Sequence, residues 1–219
     1  MKTAAIIPAA GQGSRMGRAK QLILLGGKSV IDRTVEMFDS HAEIDEIIIA
    51  ASENIHIGDF AKIKRIVPGG GTRQESVRMC LEAVSGDVTH VLIHDGARPL
   101  VSSRVISGII EAISTGGCAV SGVISKDTIK VTGEDNIIES TPPRGKTWLV
   151  QTPQGFPLDI IKKAHEAAEA DGFTGTDDAV LAERSGIPVR MVEGDYGNIK
   201  LTTPEDILLA EALLHKRTL

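Results

Sequence analysis

The sequence predicts an α/β fold in which a mainly parallel sheet is covered by helices on both faces. Short apolar runs alternate along the 219 residues with longer segments, most of which have apolar residues at helical spacing. Each longer segment opens with Ser, Thr, Asp or Pro, the residues that favour helix starts. This alternating order builds parallel strands joined by helical crossovers. We therefore expect a single Rossmann-like domain over residues 1–219.

The predicted strands and helices follow one another in a regular order. The strand candidates are residues 4–9, 46–51, 64–69, 90–95, 118–124 and 189–194. The helix candidates between them are residues 29–38, 72–84, 102–114, 157–170 and 176–186. In the second of these helices, Val77, Leu81 and Val84 recur on one face. Thr203 and Pro204 mark the start of a final helix.

Residues 125–150 interrupt this order. Two short runs of alternating residues flank the sequence GEDN, a pattern typical of a β-hairpin. Pro142, Pro143 and the only tryptophan, Trp148, follow. A hairpin inserted in an α/β domain has an apolar face that must be buried elsewhere. We therefore expect a projecting β-arm that forms the interface of a homodimer.

The composition argues against several classes of protein. A formal net charge of −5 argues against nucleic acid as the main partner, because a polyanion is bound by a basic face. No segment approaches the roughly 18 apolar residues of a membrane helix, so no membrane partner is expected. Cys80 and Cys118 lack metal-ligand spacing, and we expect free buried thiols in a reducing cytoplasm.

The loop after the first strand, PAAGQGSRMGRAKQ, combines glycines with positive charge. Its three glycines and three cations are Gly11, Gly13, Gly17, Arg15, Arg18 and Lys20. Glycines let backbone N–H groups converge on an anion. In doubly wound folds the loop after the first strand usually meets the phosphates of the ligand. The loop therefore predicts a polyphosphate site; the alternative is a glycine-rich turn with solvated cations.

Two common nucleotide motifs do not fit this loop. A dinucleotide fingerprint would place the third glycine one residue earlier, with an acidic residue about 20 residues further on. A Walker loop would close on Gly-Lys-Ser or Gly-Lys-Thr, and no such sequence ends this stretch. The loop by itself leaves the type of polyphosphate chemistry open.

Further motifs occur in order along nearly the whole chain. They are IIPAAGQGSRMG, KQ, PGGGTRQESV, VLIHDGARP, DTIK, VQTPQGF, TDDA and NIKLTTPEDILLAE. With these motifs the chain resembles the 2-C-methyl-D-erythritol 4-phosphate cytidylyltransferases, which are nucleoside-triphosphate transferases. It departs from the family's pattern in a shorter segment before Lys20, where Ala19 replaces the usual proline.

The resemblance implies transfer of a cytidylyl group on the non-mevalonate route to isoprenoid precursors. The substrate's phosphate attacks the α-phosphorus of CTP and releases pyrophosphate, so the site needs positive charge and alignment rather than a nucleophilic side chain. The catalytic cations implied are Arg15, Lys20, Arg144 and Lys200. The CTP ligands implied are Ala9, Ala10, Gly11, Gly13, Arg15, Lys20, Gly70, Arg73, Ser76, Gly96 and Lys200.

The resemblance also implies a substrate and metal site beside the nucleotide. The implied substrate ligands are Asp95, Arg98, Thr128, Arg144, Thr152 and Thr176. Asp95 follows the apolar run HVLI, and a carboxylate at the end of a strand suits Mg²⁺, the expected cofactor. In the family the arm's arginine, here Arg144, reaches the substrate bound by the other subunit. His94 precedes Asp95 in a strand, so we expect the two side chains on opposite faces and assign His94 no chemistry.

Two other functions share many of these features. A ribitol 5-phosphate cytidylyltransferase would carry overlapping motifs, and one methyl branch is worth only about 1–3 kcal/mol in a pocket. A catalytically silent nucleotide sensor would keep the fold without turnover. Lys20, Asp95, Arg144 and Lys200 together argue against the sensor, because a pure binder has little need of charge at the attacking and leaving groups.

Overall fold

The computed structural model describes residues 1–11 and 20–218. The strands are β1 (Thr3–Pro8), β2 (Leu24–Leu25), β3 (Lys28–Ser29), β4 (Glu46–Ala51), β5 (Ile63–Pro68), β6 (His90–Ile93), β7 (Cys118–Ile124), β8 (Val131–Thr132), β9 (Ile138–Ser140), β10 (Trp148–Pro157) and β11 (Val189–Glu193). The α-helices are α1 (Val30–Asp39), α2 (Arg73–Ala83), α3 (Ser103–Ile113), α4 (Leu158–Ala170), α5 (Ala179–Arg184) and α6 (Pro204–Thr218). Short 3₁₀ turns occur at Lys20–Leu22 and Arg144–Lys146.

Within the described residues, seven strands form one sheet in the order β11-β7-β10-β6-β1-β4-β5. β1 lies between β6 and β4 and is parallel to both, while β5 and β11 are parallel to their neighbours. β10 runs antiparallel to both β6 and β7. The predicted, mainly parallel α/β sheet is therefore confirmed. The carboxyl ends of β1, β4, β5 and β6 share one edge, where ligands bind in such folds.

Helices cover both faces of the sheet because the central strands are apolar on both sides. Ile6 and Ile48 are fully buried on the face that packs against α2, α4 and α5. Ile7 and Ile49 are fully buried on the opposite face, against α1 and α3. This double burial is the arrangement that the order of strands and helices predicted.

Two helix starts follow the polar signals in the sequence. Ser29 caps α1, and its side chain accepts a hydrogen bond from the N–H of Asp32. Thr72 caps α2 in the same way, with the N–H of Glu75 as donor. Such caps satisfy backbone donors that the first helical turn leaves unpaired. Because α2 follows β5, its capped start lies at the carboxyl edge of the sheet.

Each predicted strand and helix occurs in the structure, with ends that differ by at most three residues, whereas the short strands β2 and β3 and the long strand β10 were not predicted. The sequence pattern did not identify β10, whose residues include two prolines, a glycine and two glutamines and show no alternation. Its place between β6 and β7 is decided by long-range pairing. The predicted arm of residues 125–150 is consequently too long, since Trp148–Val150 pair with β7 in the main sheet.

The arm itself is a small antiparallel hairpin of β8 and β9. Its turn closes with the N–H of Gly133 donating to the carbonyl of Ile137, and Asn136 adopts the left-handed φ of 58°. Asparagine tolerates this conformation better than most residues, which explains the GEDN turn signal. The predicted inserted hairpin is therefore confirmed.

Two further expectations concern the state of the cysteines and the lack of a membrane-spanning helix. Cys80 and Cys118 are free and buried, as predicted. Burial raises the pKa of the Cys80 thiol to about 12, which keeps it protonated and unreactive. None of the described helices combines the length and the apolar character that crossing a membrane requires.

Candidate active site

A cleft of about 450 Å³ opens at the carboxyl edge of the sheet. Ala10 and Gly11 line it from the loop after β1, Gly70 lines it from the turn after β5, and Gly96 follows β6. These elements meet around β1, whose neighbours β4 and β6 connect to opposite halves of the sheet. The cleft therefore occupies the place where doubly wound folds bind ligands.

The lining of this larger cleft is positively charged. Among the described residues it contains Lys20, Arg73 and Lys200 against the single carboxylate of Asp95. The chain as a whole has a net charge of −5. Cations concentrated in a concave site attract a small polyanion although the whole protein is acidic.

The glycine turn before α2 forms one wall of the cleft. A Cβ atom on Gly69 would lie 1.9 Å from the Cβ of Ala10, so glycine is needed for this turn to pack against the loop after β1. The N–H of Gly70 donates to the Oγ of Ser76, whose hydroxyl in turn donates to the carbonyl of Thr72. Ser76 is a predicted CTP ligand, and it also stabilises the turn.

Gln21 is a site residue that the sequence pattern did not identify. Its side chain is buried, and its Nε2 donates to the carbonyls of Ala9 at 2.6 Å and of Gly11 at 3.0 Å. These bonds tie the 3₁₀ turn that carries Lys20 to the end of β1. In the sequence, the KQ pair at the end of the cation-rich loop is the signal that could have indicated Gln21.

A second cleft of about 250 Å³ adjoins the first. Arg73, Asp95 and Lys200 line both clefts and so form the junction between them. Gln151 and Asp177 are further lining residues of the second cleft. Two ligands bound side by side would meet at this junction.

Asp95 is the anionic centre of the junction. Its Oδ1 lies 2.9 Å from Nε of Arg73, and its Oδ2 lies 2.8 Å from Nζ of Lys200 and 3.7 Å from Nε of Arg98. Burial opposes ionisation, but the charges of Arg73 and Lys200 outweigh it and hold the pKa of Asp95 well below its ordinary value. Asp95 is therefore ionised at physiological pH.

Arg73 bridges Asp95 to a second buried carboxylate, Asp178. Its Nη1 lies 2.7 Å from Oδ2 of Asp178, and the other oxygen of Asp178 lies 3.2 Å from Nε2 of the buried His165. Burial disfavours the guanidinium charge, yet the two carboxylates raise the pKa of Arg73. The TDDA motif contains Asp178, but sequence could not show its partner, which lies 105 residues away.

His94 and Asp95 point to different surroundings, as expected. The His94 ring is buried and lies 4.9 Å from the Phe38 ring, whereas Asp95 faces the clefts. Nε2 of His94 faces the carbonyl of Arg98, so Nδ1 accepts from the hydroxyl of Thr152. Burial lowers the pKa of His94 to about 4, so the ring is neutral at physiological pH.

Most of the predicted site residues come together at the two clefts. The predicted CTP ligands that line the larger cleft are Ala10, Gly11, Lys20, Gly70, Arg73, Ser76, Gly96 and Lys200. The predicted substrate ligands that line the smaller cleft are Asp95, Arg98, Thr152 and Thr176. Ala9 is buried behind the larger cleft and contributes its backbone to the Gln21 contact. Gly13 and Arg15, with Gly17 and Arg18, lie outside the described residues.

Thr128 and Arg144 lie apart from both clefts. Both are exposed at the arm, and Nη2 of Arg144 donates to the hydroxyl of Thr128 at 3.0 Å. Among the described residues that line these two clefts, neither Thr128 nor Arg144 occurs. The prediction that Arg144 serves the site of another subunit therefore remains a prediction.

The metal prediction depends on Asp95. The part of the chain that the structure describes contains no group of three or more His, Cys, Asp or Glu side chains able to hold a metal ion. Mg²⁺ usually takes one or two protein carboxylates and fills its other positions with phosphate and water. The single carboxylate of Asp95 fits an ion held mainly by a nucleotide, and does not fit one held by protein alone.

The fold and the clefts together are typical of a class of enzyme. Glycine turns and cations at the carboxyl edge of a parallel sheet suit a nucleoside triphosphate. The adjoining polar cleft suits a second substrate, so the arrangement is that of an α/β nucleotidyltransferase.

Comparison with known proteins identifies the family within this class. A sequence model of 2-C-methyl-D-erythritol 4-phosphate cytidylyltransferase (IspD) matches residues 3–216. The enzyme of that name from Symbiobacterium thermophilum is 46% identical over 217 residues, which cover 96% of this chain and 92% of that protein. The chain belongs to the 2-C-methyl-D-erythritol 4-phosphate cytidylyltransferase family.

Solved structures agree with this assignment. The chain is similar to 4-diphosphocytidyl-2C-methyl-D-erythritol synthase from Anaerococcus prevotii, with a TM-score of 0.87, 34% identity and coverage of 98% of this chain and 96% of that one. It is also similar to 2-C-methyl-D-erythritol 4-phosphate cytidylyltransferase from Thermus thermophilus, with a TM-score of 0.84, 35% identity and coverage of 98% and 100%. The predicted resemblance is therefore confirmed over nearly the whole chain.

Proposed function

We propose that the chain joins CTP and 2-C-methyl-D-erythritol 4-phosphate to give 4-diphosphocytidyl-2-C-methyl-D-erythritol and pyrophosphate, in non-mevalonate isoprenoid precursor synthesis. The observation that carries this proposal is the junction of two clefts at Arg73, Asp95 and Lys200. CTP occupies the larger, cation-lined cleft, and the sugar phosphate occupies the smaller one. Their reacting phosphates then meet beside Lys200.

The reaction is an in-line displacement at phosphorus. A phosphate oxygen of the sugar phosphate bonds to the α-phosphorus of CTP while the bond from that phosphorus to the oxygen bridging the β-phosphate breaks. The electron pair of the broken bond leaves with pyrophosphate. The attacking phosphate is already ionised, so no general base is required, and the protein supplies alignment and positive charge.

Lys200 and Lys20 supply charge from two sides of the larger cleft. Lys200 bonds to Asp95, yet 42% of its side chain is exposed, so its ammonium is free to turn toward an α-phosphate oxygen. Lys20 lines the same cleft from the 3₁₀ turn after the cation-rich loop. Both ammonium groups stabilise negative charge that grows on the phosphate oxygens in the transition state.

We propose Mg²⁺ as the cofactor. Bound to the triphosphate, it supplies Lewis-acid stabilisation of the phosphate oxygens. Asp95 is the residue that would hold it. The chain's own part is to keep Asp95 ionised, which Arg73 does by lowering its pKa.

We further propose a cytoplasmic homodimer that forms through the arm. Val131, Ile137 and Ile138 are 44%, 69% and 57% exposed in the single chain, which is unusual for β-branched residues grouped on one hairpin. A second copy would cover them. The same contact would carry Arg144 and Thr128 toward the partner's smaller cleft, where a guanidinium fork suits a phosphate. The free thiols of both cysteines fit a reducing cytoplasm.

The test is pyrophosphate release with Mg²⁺ and CTP in parallel reactions containing methylerythritol phosphate, ribitol phosphate or no acceptor. We expect release with methylerythritol phosphate alone, and loss of release when Mg²⁺ is chelated. Release with ribitol phosphate alone would show that ribitol phosphate is the substrate, with the same displacement at phosphorus. CTP binding without release in any reaction would favour a nucleotide sensor.

A further inference from the structure

Lys200 lies on a segment without regular secondary structure. This segment joins β11, which ends at Glu193, to α6, which begins at Pro204. The hydrogen bonds of a helix or a sheet therefore do not determine where the Lys200 ammonium lies. Immediately after Lys200, the N–H of Leu201 donates to the carbonyl of Ala97, and the Leu201 side chain is fully buried. The residues before Lys200 must be held by other contacts.

Asn198, two residues before Lys200, supplies contacts that hold this part of the segment. Its side chain is fully buried, and its Nδ2 donates to the carbonyl of Thr152 at 2.8 Å and to Oε1 of Gln151 at 3.4 Å. Its own carbonyl accepts from Nη1 of Arg98 at 2.7 Å. Asn198 thus joins the segment to β10 through its side chain and to the Asp95 loop through its backbone.

Gln151 holds the same segment at Asp195, three residues before Asn198. Its Nε2 donates to the carbonyl of Asp195 at 2.8 Å, and its Oε1 accepts from the N–H of Asp195 at 3.3 Å. This close approach requires Gly194, since a Cβ there would lie 2.4 Å from Oε1 of Gln151. The pairing of β10 with β7 shifts register between Val150 and Gln154, and the side-chain contacts of Gln151 fall within this irregular stretch.

Thr152 connects this arrangement to the catalytic junction. Its carbonyl accepts from Asn198, while its hydroxyl accepts from the N–H of Asp95 at 3.0 Å. One residue of β10 therefore holds both the backbone of Asp95 and the segment that carries Lys200. The side chains carried by these two segments meet, with Nζ of Lys200 2.8 Å from Oδ2 of Asp95.

We propose that Asn198 is a positioning residue that holds Lys200 beside Asp95, at the junction of the two clefts. This proposal rests on the proposed function, in which Lys200 stabilises the reacting phosphate. A side-chain amide suits this position because the N–H donors of Nδ2 face two oxygen acceptors. Small displacements of a charge that acts in the transition state reduce turnover strongly.

The variant that tests the proposal is Asn198→Asp, which keeps the shape of the side chain but places an oxygen against the Thr152 carbonyl and Oε1 of Gln151. We expect kcat to fall by about tenfold or more, as for a misplaced catalytic group, with the KM for CTP changed far less. Tyr196→Phe is the matched control. It removes a hydrogen bond of the same segment to the Ile124 carbonyl and should leave kcat unchanged.

A second comparison separates positioning from general support of the fold. If Asn198 acts through Lys200, Asn198→Asp should lower kcat little further in a Lys200→Ala background, because coupled residues are not additive. A full additional loss in that background would overturn the proposal. If Asn198→Asp is too unstable to assay, Asn198→Ala replaces it in the comparison with the Lys200→Ala background. Alanine places no new oxygen against the Thr152 carbonyl and Oε1 of Gln151.

A readout that needs no turnover keeps this proposal distinct from the proposed function. The rate of reductive methylation at Lys200, followed by mass spectrometry of its peptide, reports whether the ammonium is held at Asp95. We expect several-fold faster labelling in Asn198→Asp and unchanged labelling in Tyr196→Phe. Equal labelling in all three proteins would overturn the positioning role, even if the wild-type chain released no pyrophosphate.

Discussion

At the scale of single residues, paired charges rather than proton transfer organise the site. His94 is neutral and fully committed to hydrogen bonds with Arg98 and Thr152. Asp95 and Arg73 are both charged, and each shifts the pKa of the other toward the charged form. A displacement whose nucleophile is already an anion needs this kind of site, since its barrier depends on charge stabilisation and alignment.

Removal of the Lys20 ammonium tests this view. We expect Lys20→Ala to lower kcat by about 10²–10³-fold, the range for loss of one stabilising group, with a much smaller rise in the KM for CTP. Lys28→Ala is the control, because Lys28 carries the same charge in a surface pair with Glu36. Turnover equal to that of wild type would remove Lys20 from the catalytic residues.

The ion pair between the buried Asp178 and the partly buried Arg73 predicts how stability depends on pH. Burial opposes ionisation of Asp178, but Arg73 and the hydrogen bond from His165 lower its pKa. A carboxylate with a lowered folded-state pKa stabilises the protein above its unfolded pKa of about 3.9. That contribution is lost as pH falls through the folded-state pKa.

The variant Asp178→Asn measures this contribution in urea unfolding. At pH 7 we expect a loss of free energy of unfolding on the order of 3 kcal/mol, because the partly buried Arg73 loses one of its two carboxylate partners. The difference from wild type should shrink at pH 3. Asp87→Asn, at an exposed pair with Lys2, should change the stability little at either pH, because surface ion pairs are screened by solvent. A difference between wild type and Asp178→Asn that does not depend on pH would contradict the charge assignment.

At the scale of elements, the site depends on how tightly turns pack at the edge of the sheet. The turn between β5 and α2 contacts the loop after β1 through Gly69 and Ala10. The Thr72 cap and the Ser76 hydroxyl then direct the first turn of α2 toward the cleft. The cleft wall is therefore built mainly by backbone, which side-chain patterns describe poorly.

Gly69→Ala should disturb this packing, because the new Cβ would lie 1.9 Å from the Ala10 Cβ and the backbone would have to move. We expect a loss of stability of about 1–3 kcal/mol, as for overpacking of a close contact. Gly71→Ala, two residues on, is the matched control, since its nearest neighbour is the flexible Glu75 side chain at 3.4 Å. Equal midpoints of urea unfolding for the two variants would show that the turn is not tightly packed.

At the scale of the whole molecule, the single chain leaves two features incomplete. The arm exposes Ile137 and Ile138, and Arg144 lies outside both clefts of its own chain. A second copy that covers the arm would complete both. We expect Arg144→Ala alone to weaken use of the sugar phosphate while CTP binding survives.

Mixed dimers test directly whether two subunits share a site. At a sugar-phosphate concentration far below the KM of Arg144→Ala, this variant and Lys200→Ala should each be nearly inactive. Random exchange of their subunits should then restore about a quarter of wild-type activity, because half of the dimers contain one intact site. Sedimentation of the separate variants checks that each still forms dimers. If the two variants exchange subunits and no activity is recovered, Arg144 does not contribute to the partner's site.

The sequence predicted the fold because its signals are local. β4 and β7 have the predicted bounds, and the other predicted strands differ from the structure by one or two residues at one end or at both. Each is a short apolar run bounded by turn residues, and such a run has few alternatives to a buried strand. β10 was missed because its polar and proline-containing stretch is a strand only through its pairing with β6 and β7.

The sequence by itself determined the α/β class, the inserted hairpin, the family and most of the residues that line the clefts. Those features depend on periodicity, turn chemistry and motifs, all of which are local along the chain. Only the tertiary structure decided that Arg73 bridges Asp95 and Asp178, that Gln21 ties Lys20 to β1, and that Asn198 meets Thr152. These are contacts between buried polar groups, many of them far apart in the chain. Their partners are selected by packing, because each buried donor must find an acceptor where the fold places one.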